Sequence, residues 1–254
     1  MSLQQLFLAT SQPICDAADF DGTNDYATRG ADLTGMADSK LFTFVTWFSW
    51  GSAGVTNRIF TGVSLLAGVT PYFSVYCQTT NKLIVEARNA ANSTICELTT
   101  STSVNDDVWR CAMCSVDLAD TAKRHLYLGD TNELNVTTYT NDTINFTLGD
   151  WAIGARADGG TKFNGGIAEV LFWPGVYVDF SVEANRRLFF SSAGQPSTFG
   201  PGTQAGNLGA PAVYLHLYEG ETADNFVANN DAGATGGTFT VTGALTTYAS
   251  SPSD

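Results

Sequence analysis

FNGGIAEVLFW, residues Phe163–Trp173, is the stretch whose reading decides the fold. Asn164, Gly165 and Gly166 make a turn that runs straight into an apolar strand of Ile, Val, Leu, Phe and Trp. Twin glycines ahead of such a strand predict a bend into a packed sheet. Glu169 is the one carboxylate in the middle of that run. Working outward, LFTFVTWFSW (Leu41–Trp50) is apolar on both faces, as a central strand covered on two sides should be. YFSVYCQ (Tyr72–Gln78) and KLIVEAR (Lys82–Arg88) flank Thr79, Thr80 and Asn81, a hairpin signal. Further runs lie at Asn57–Val63, Thr94–Thr99, Val108–Asp117, His125–Leu128, Phe146–Gly154, Ala212–Tyr218 and Phe239–Val241. Strands that recur roughly every 10–15 residues between turn signals predict an antiparallel sandwich or barrel.

One short helix is expected from about Ser181 to Ser191, with Ser181 as its cap. Phe180, Ala184 and Leu188 repeat at helical spacing, and Arg186 and Arg187 sit where the helix dipole favours cations. Residues 1–19 read as an N-terminal arm or first strand, and residues 20–254 as one domain. The Gly- and Pro-rich stretch from Gln195 to Ala210 reads as an extended connection, because a strand-like AVYLHLYEG follows it. A single returning strand cannot fold alone. Residues 195–254 are therefore expected to rejoin and complete the sandwich.

Apolar residues make up 44% of the 254 and charged residues only 15%, so the surface must be largely Thr, Ser, Asn and Gly. The formal net charge of −13 repels phosphate backbones and argues against nucleic-acid binding. No run approaches the length of a membrane span. MSLQQLFLATSQP lacks a basic start and a long apolar core, so no secretory leader is expected. Sequons at Asn92, Asn135, Asn141 and Asn145 would matter only in a secretory pathway. The 5 cysteines are odd in number and irregular in spacing, a poor disulfide framework. Cys111 and Cys114 stand three apart on a predicted strand and so face opposite sides, which keeps them from sharing a metal. Buried free thiols suit a reducing cytoplasm.

FDGTNDYA (Phe20–Ala27), LFTFVTWFSW, VWRCAMCSVD, HLYLGDTNE and WAIGARADGGTKFNGGIAEVLFW, in that order, resemble the laminin-G-like, concanavalin-A-like jelly rolls. The resemblance covers most of Phe20 to Ser192 and implies an all-β, two-sheet antiparallel jelly-roll sandwich with one short helix. The family hosts lectins, pentraxins, adhesion modules, glycanases and virion proteins, so the fold does not choose among these. The acidic, leaderless chain with free cysteines and the Thr/Gly/Ala-rich tail GGTFTVTGALTTYASSPSD is also similar in style to laminin-G-like structural proteins of tailed bacteriophages.

Glycanases of this fold need two carboxylates about 5–5.5 Å apart. Glu86, Glu97 and Glu169 each stand alone in their segments, so no catalytic array is expected. His125 and His216 each lie in an apolar strand and read as structural histidines. Calcium is the cofactor the residues suggest, as a structural ion held in part by Asp21, Asp25 and Glu169. The competing reading makes Asp21 and Asp25 turn-formers, with Glu169 reaching solvent or an arginine such as Arg29. Tyr139, Trp151, Tyr177 and Tyr218 are the aromatics that could face a sugar or the core.

The expected function is a non-enzymatic virion structural protein of a tailed phage, decorating the capsid or forming part of a tail or fibre. Its partners would be other virion proteins and copies of itself, assembled in the host cytoplasm into the virion. The alternative is a lectin-like adhesion module that binds cell-surface glycans, with or without calcium.

Overall fold

The computed structural model describes residues 15–63, 70–197, 208–228 and 234–254. Most of the expected N-terminal arm and much of the Gly/Pro-rich connection lie outside the described residues. In chain order the strands are β1 (Cys15–Asp16), β2 (Ala18–Asp21), β3 (Tyr26–Thr28), β4 (Leu41–Trp50), β5 (Asn57–Val63), β6 (Pro71–Cys77), β7 (Leu83–Arg88), β8 (Thr94–Thr100) and β9 (Arg110–Asp117). They continue as β10 (Arg124–Leu128), β11 (Thr131–Asn132), β12 (Leu134–Tyr139), β13 (Asp150–Ile153), β14 (Asn164–Pro174), β15 (Val213–Tyr218), β16 (Thr240–Thr242) and β17 (Thr246–Thr247). Two single-turn helices join them, α1 (Glu183–Arg186) and α2 (Asn225–Ala228). None of the described helices is long and apolar enough to cross a membrane.

The strands form two antiparallel sheets. One runs β1-β15-β14-β4-β9-β10-β11, with β2 beside β14 and β17 beside β2; the other runs β12-β8-β7-β6-β5-β13-β3-β16. β15 pairs with β14, so a strand from beyond the Gly/Pro-rich connection lies in the first sheet, between β14 and β1. Inner-facing rings close the sandwich: Phe44 stacks on Phe60 at 5.6 Å, Trp151 on Phe60 at 5.2 Å, and Phe73 meets Phe172 at 4.8 Å. All of these are buried.

The outer face of the first sheet is apolar too. Val45 and Trp47 of β4, Cys111 and Met113 of β9, and Leu171 and Trp173 of β14 form a second cluster with Phe180, Phe189 and Phe190. The segment that supplies those phenylalanines was expected to be a longer helix capped by Ser181. Its actual cap is Val182, which makes no side-chain cap bond, and only Glu183–Arg186 is α-helical. The reason is local. Asp179 Oδ1 accepts both the Ser181 N–H at 2.9 Å and the Ser181 hydroxyl at 2.5 Å, which removes Ser181 from capping. Arg186 and Arg187 bind Asp130 at 3.0 and 2.6 Å and tie the segment to the β10–β11 turn. All five cysteines are free and buried. Cys111 belongs to the outer cluster and Cys114 to the inner core, as their spacing requires.

Candidate functional site

Two strips of chain cover the outer face of the first sheet. The first runs through α1 to Phe189 and Phe190. The second is the C-terminal tail, anchored by the Tyr248 N–H donating to Ala17 O at 2.8 Å. Gln195 Nε2 donates to Ser253 O at 3.0 Å and joins the strips. A cleft of about 340 Å³ bounded by Trp47, Trp109, Phe190 and Gly194 remains in this face, with Cys111 and Leu128 also lining it.

Trp109 precedes β9 and shares the parity of outward-facing Cys111. Its indole N–H donates to Ser250 Oγ at 3.0 Å, and its ring meets Tyr248 edge-on at 5.7 Å. Gly166 of β14 makes room for both rings: a Cβ there would stand 2.7 Å from Trp109 and 2.9 Å from Tyr248. The motif of twin glycines thus shapes the cleft as well as the sheet. Polar groups share the lining. Arg110 is fixed by two bonds to Asp106, at 2.5 and 2.7 Å. Glu133 accepts the Ser101 hydroxyl and, at 2.9 Å, the Thr102 N–H. Burial pushes the Glu133 carboxyl up, but the bonds from Ser101 and Thr102 outweigh it and hold the group below its ordinary value. The exposed Thr102 and Thr131 complete the polar part of the lining.

The residues singled out in the sequence lie elsewhere. Trp151 is fully buried in the inner core. Tyr139 donates its hydroxyl to Asp117 O at 2.8 Å, Tyr177 shares a 2.7 Å bond with His125 Nε2, and Tyr218 packs on His216 at 4.3 Å. Trp109 was missed because it reads as the first residue of an apolar strand; its odd-position match to Cys111 and Met113 was the available signal.

Asp21, Asp25 and Glu169 do not come together. Asp21 Oδ1 accepts the N–H groups of Thr23, Asn24 and Asp25 at 2.7, 3.0 and 3.4 Å, a turn of the Asx kind. These bonds, that from Asn24 foremost, hold its carboxyl below the usual range. Asp25 is buried and accepts the Ala244 N–H at 2.9 Å. Asp21 faces Asn164 in register, whereas Glu169 lies five residues further along β14, roughly 16 Å away at strand spacing. Glu169 is therefore too far from the turn of Asp21 and Asp25 to join them around one calcium ion. Arg29 is turned to Asp32 O and Thr34, and Glu169 instead bonds His216 at 2.7 Å.

The carboxylate pattern also differs from the expected isolation. Glu86 and Glu97 are register partners across β7 and β8, so they project side by side from the second sheet. Glu86 Oε1 is committed to Arg88 at 2.6 Å and to the Thr94 hydroxyl at 3.0 Å. Glu86 is thus held in an ion pair and a hydrogen bond.

Two facing antiparallel sheets, with their strands exchanged between layers in this order, define a jelly roll of the lectin type. The chain belongs to the concanavalin A-like lectin/glucanases superfamily, whose laminin-G profile matches residues 21–182. Among solved structures it is similar to a Bacteroides ovatus protein assigned as carbohydrate-binding, with 16% identity and a TM-score of 0.61 over 94% of this chain. The chain spans 61% of that protein's length. It is also similar to a heptameric SAP-like pentraxin from Limulus polyphemus, with 12% identity, a TM-score of 0.49 and 68% and 81% of the two chains covered. The CBM40 module of a Ruminococcus gnavus sialidase, bound to α2,3-sialyllactose, matches with 15% identity, a TM-score of 0.47 and 66% and 95% covered. At 16% identity the likeness to the Bacteroides ovatus protein shows the fold alone. No curated protein matches the chain.

Proposed function

We propose that this chain is a non-catalytic carbohydrate-binding protein and that the cleft beside Trp109 holds the sugar. The observation that carries the reading is the cleft's composition. A half-buried indole, held in place by Ser250 and Tyr248, stands near Arg110, Glu133, Thr102 and Thr131. Sugars offer an apolar ring face beside a belt of hydroxyls, and such a site matches both. The volume is that of a small-ligand site. The carbohydrate-binding assignment of the Bacteroides ovatus relative adds support at the level of the fold.

A glycan array followed by calorimetry tests it. Wild-type protein should bind a glycan in the presence of chelator, and Trp109→Ala should weaken that binding at least about tenfold, or about 1.4 kcal/mol. Glu97→Gln, on the other sheet, should leave it unchanged. An array without hits, or loss in Glu97→Gln with retention in Trp109→Ala, overturns the assignment. Release of reducing sugar that disappears in Glu86→Gln would overturn its non-catalytic part.

The virion role rests on the style of the sequence alone. Mass spectrometry of purified particles decides that role independently, since a decoration protein can also hold glycans.

A further inference from the structure

The structure assigns a second site, unrelated to the glycan cleft: we propose that Cys15, Glu169 and His216 form a buried binding site for one zinc-like transition-metal ion. The three come from three neighbouring strands. Cys15 opens β1, His216 lies in β15, and Glu169 lies in β14 directly opposite His216. A register shift between Ile167 and Glu169 inserts Ala168 and turns Glu169 away from the inner core, to the side of Trp47.

The ligand atoms converge within 4.8 Å of one another, and all three residues are buried. His216 Nδ1 lies 2.7 Å from Glu169 Oε1 and 3.8 Å from Cys15 Sγ. A tetrahedral zinc at ordinary bond lengths holds sulfur and nitrogen roughly 3.6 Å apart, and nitrogen and oxygen roughly 3.3 Å apart. The sulfur already stands near that separation, and the carboxylate needs to swing back by about half an ångström.

Two further observations favour an ion. Among the described residues, Glu169 Oε2 is buried without a hydrogen-bond partner. A buried carboxylate with one empty oxygen is costly, and a second bond from Oε2 to the ion would satisfy it. The charges also balance: one thiolate, one carboxylate and a neutral imidazole offset a divalent cation, leaving no net charge in the apolar layer. Sulfur with imidazole selects zinc or cobalt over calcium or magnesium. Binding releases the thiol proton. The Cys15 N–H donates to Ser253 Oγ at 2.9 Å, so the C-terminal tail closes over the site and the ion enters as the chain folds.

Untagged protein produced in cobalt-supplemented cells tests the site. The expected result is one cobalt per chain with a thiolate-to-cobalt charge-transfer band. Cys15→Ser should lose the band, His216→Gln and Glu169→Gln should lower the metal content at least tenfold, and Cys111→Ala should keep both. Should a variant fail to fold, X-ray absorption on wild-type protein loaded with zinc decides alone, because one sulfur neighbour is required. Folded wild type without metal, a band that survives Cys15→Ser, or a shell of oxygen and nitrogen only overturns the proposal.

Discussion

Gly165 and Gly166 are adjacent in sequence, yet a methyl group added to each should have opposite consequences. Gly165 has φ +151°, and a Cβ there would lie 2.2 Å from the backbone oxygen of Ser49, in the neighbouring β4. Backbone cannot step aside without prying β14 from β4 where Gly165 faces Trp50 and Gly166 faces Ser49. Overpacking costs about 1–3 kcal/mol and a strained φ a further 1–3, so Gly165→Ala should cost about 4 kcal/mol. At about 2–4 °C per kcal/mol for a chain of this size, the melting temperature falls by about 8–16 °C. At Gly166 the atoms met are the tip of the Trp109 indole, at 2.7 Å, and the edge of Tyr248. Rings on a surface can swing, and the cost should stay near 1 kcal/mol. Yet the swing moves the wall of the cleft, so Gly166→Ala should impair glycan binding more than stability. Scanning calorimetry, with tryptophan fluorescence to report on Trp109, separates the two. Equal destabilisation by the two substitutions would refute the assignment of one clash to backbone and the other to side chains.

Phe172→Ala should cost about 3–5 kcal/mol in a denaturant titration, since its ring meets Phe73 at 4.8 Å, Phe60 at 5.3 Å and Trp151 at 5.6 Å; a loss below about 2 kcal/mol would show that the inner rings are loosely packed. Glu133 has a folded-state pKa below its unfolded value, so its contribution is complete above about pH 4.3 and is lost as pH falls through the lower folded value. The urea midpoint should therefore drop more steeply on acidification for wild type than for Glu133→Gln, and parallel profiles would contradict the role given to the Ser101 and Thr102 bonds.

Long apolar runs were legible because burial on two sides leaves no alternation to misread. Leu41–Trp50 is a strand over those same residues, and the weaker run Asn57–Val63 is one as well. Leu134–Tyr139 was not legible: LNVTTY is an edge strand with only partial burial, and its Thr and Asn look like a turn. α1 was over-read because the Phe180–Leu188 spacing is apolar for another reason, the covering of an outer cluster by a largely irregular segment. The carboxylate pair of Glu86 and Glu97 depends on register, and register is invisible in one segment at a time. The Cys15–Glu169–His216 group depends on more still. A crossover must place β15 between β14 and β1, and a bulge must break the alternation that would otherwise group Glu169 with Ile167. No local pattern announces either.

The face that carries both proposed sites is apolar before it is functional. A sheet with Val45, Trp47, Met113, Leu171 and Trp173 on its outside cannot meet water bare, so chain must be spent on covering it. The cover comes as two strips with few regular hydrogen bonds of their own, and strips leave gaps where a sheet or a long helix would not. One gap is open and lined by Trp109, Phe190 and polar side chains; the other is closed by the tail over three ligating groups. The same tail holds Trp109 through Ser250 and shuts Cys15 in through Ser253. If that is how the sites arise, deleting the last five residues should damage both at once, weakening glycan binding and metal retention while the inner core and its melting transition persist. Loss of one property without the other would mean that the tail covers the face but does not organise it.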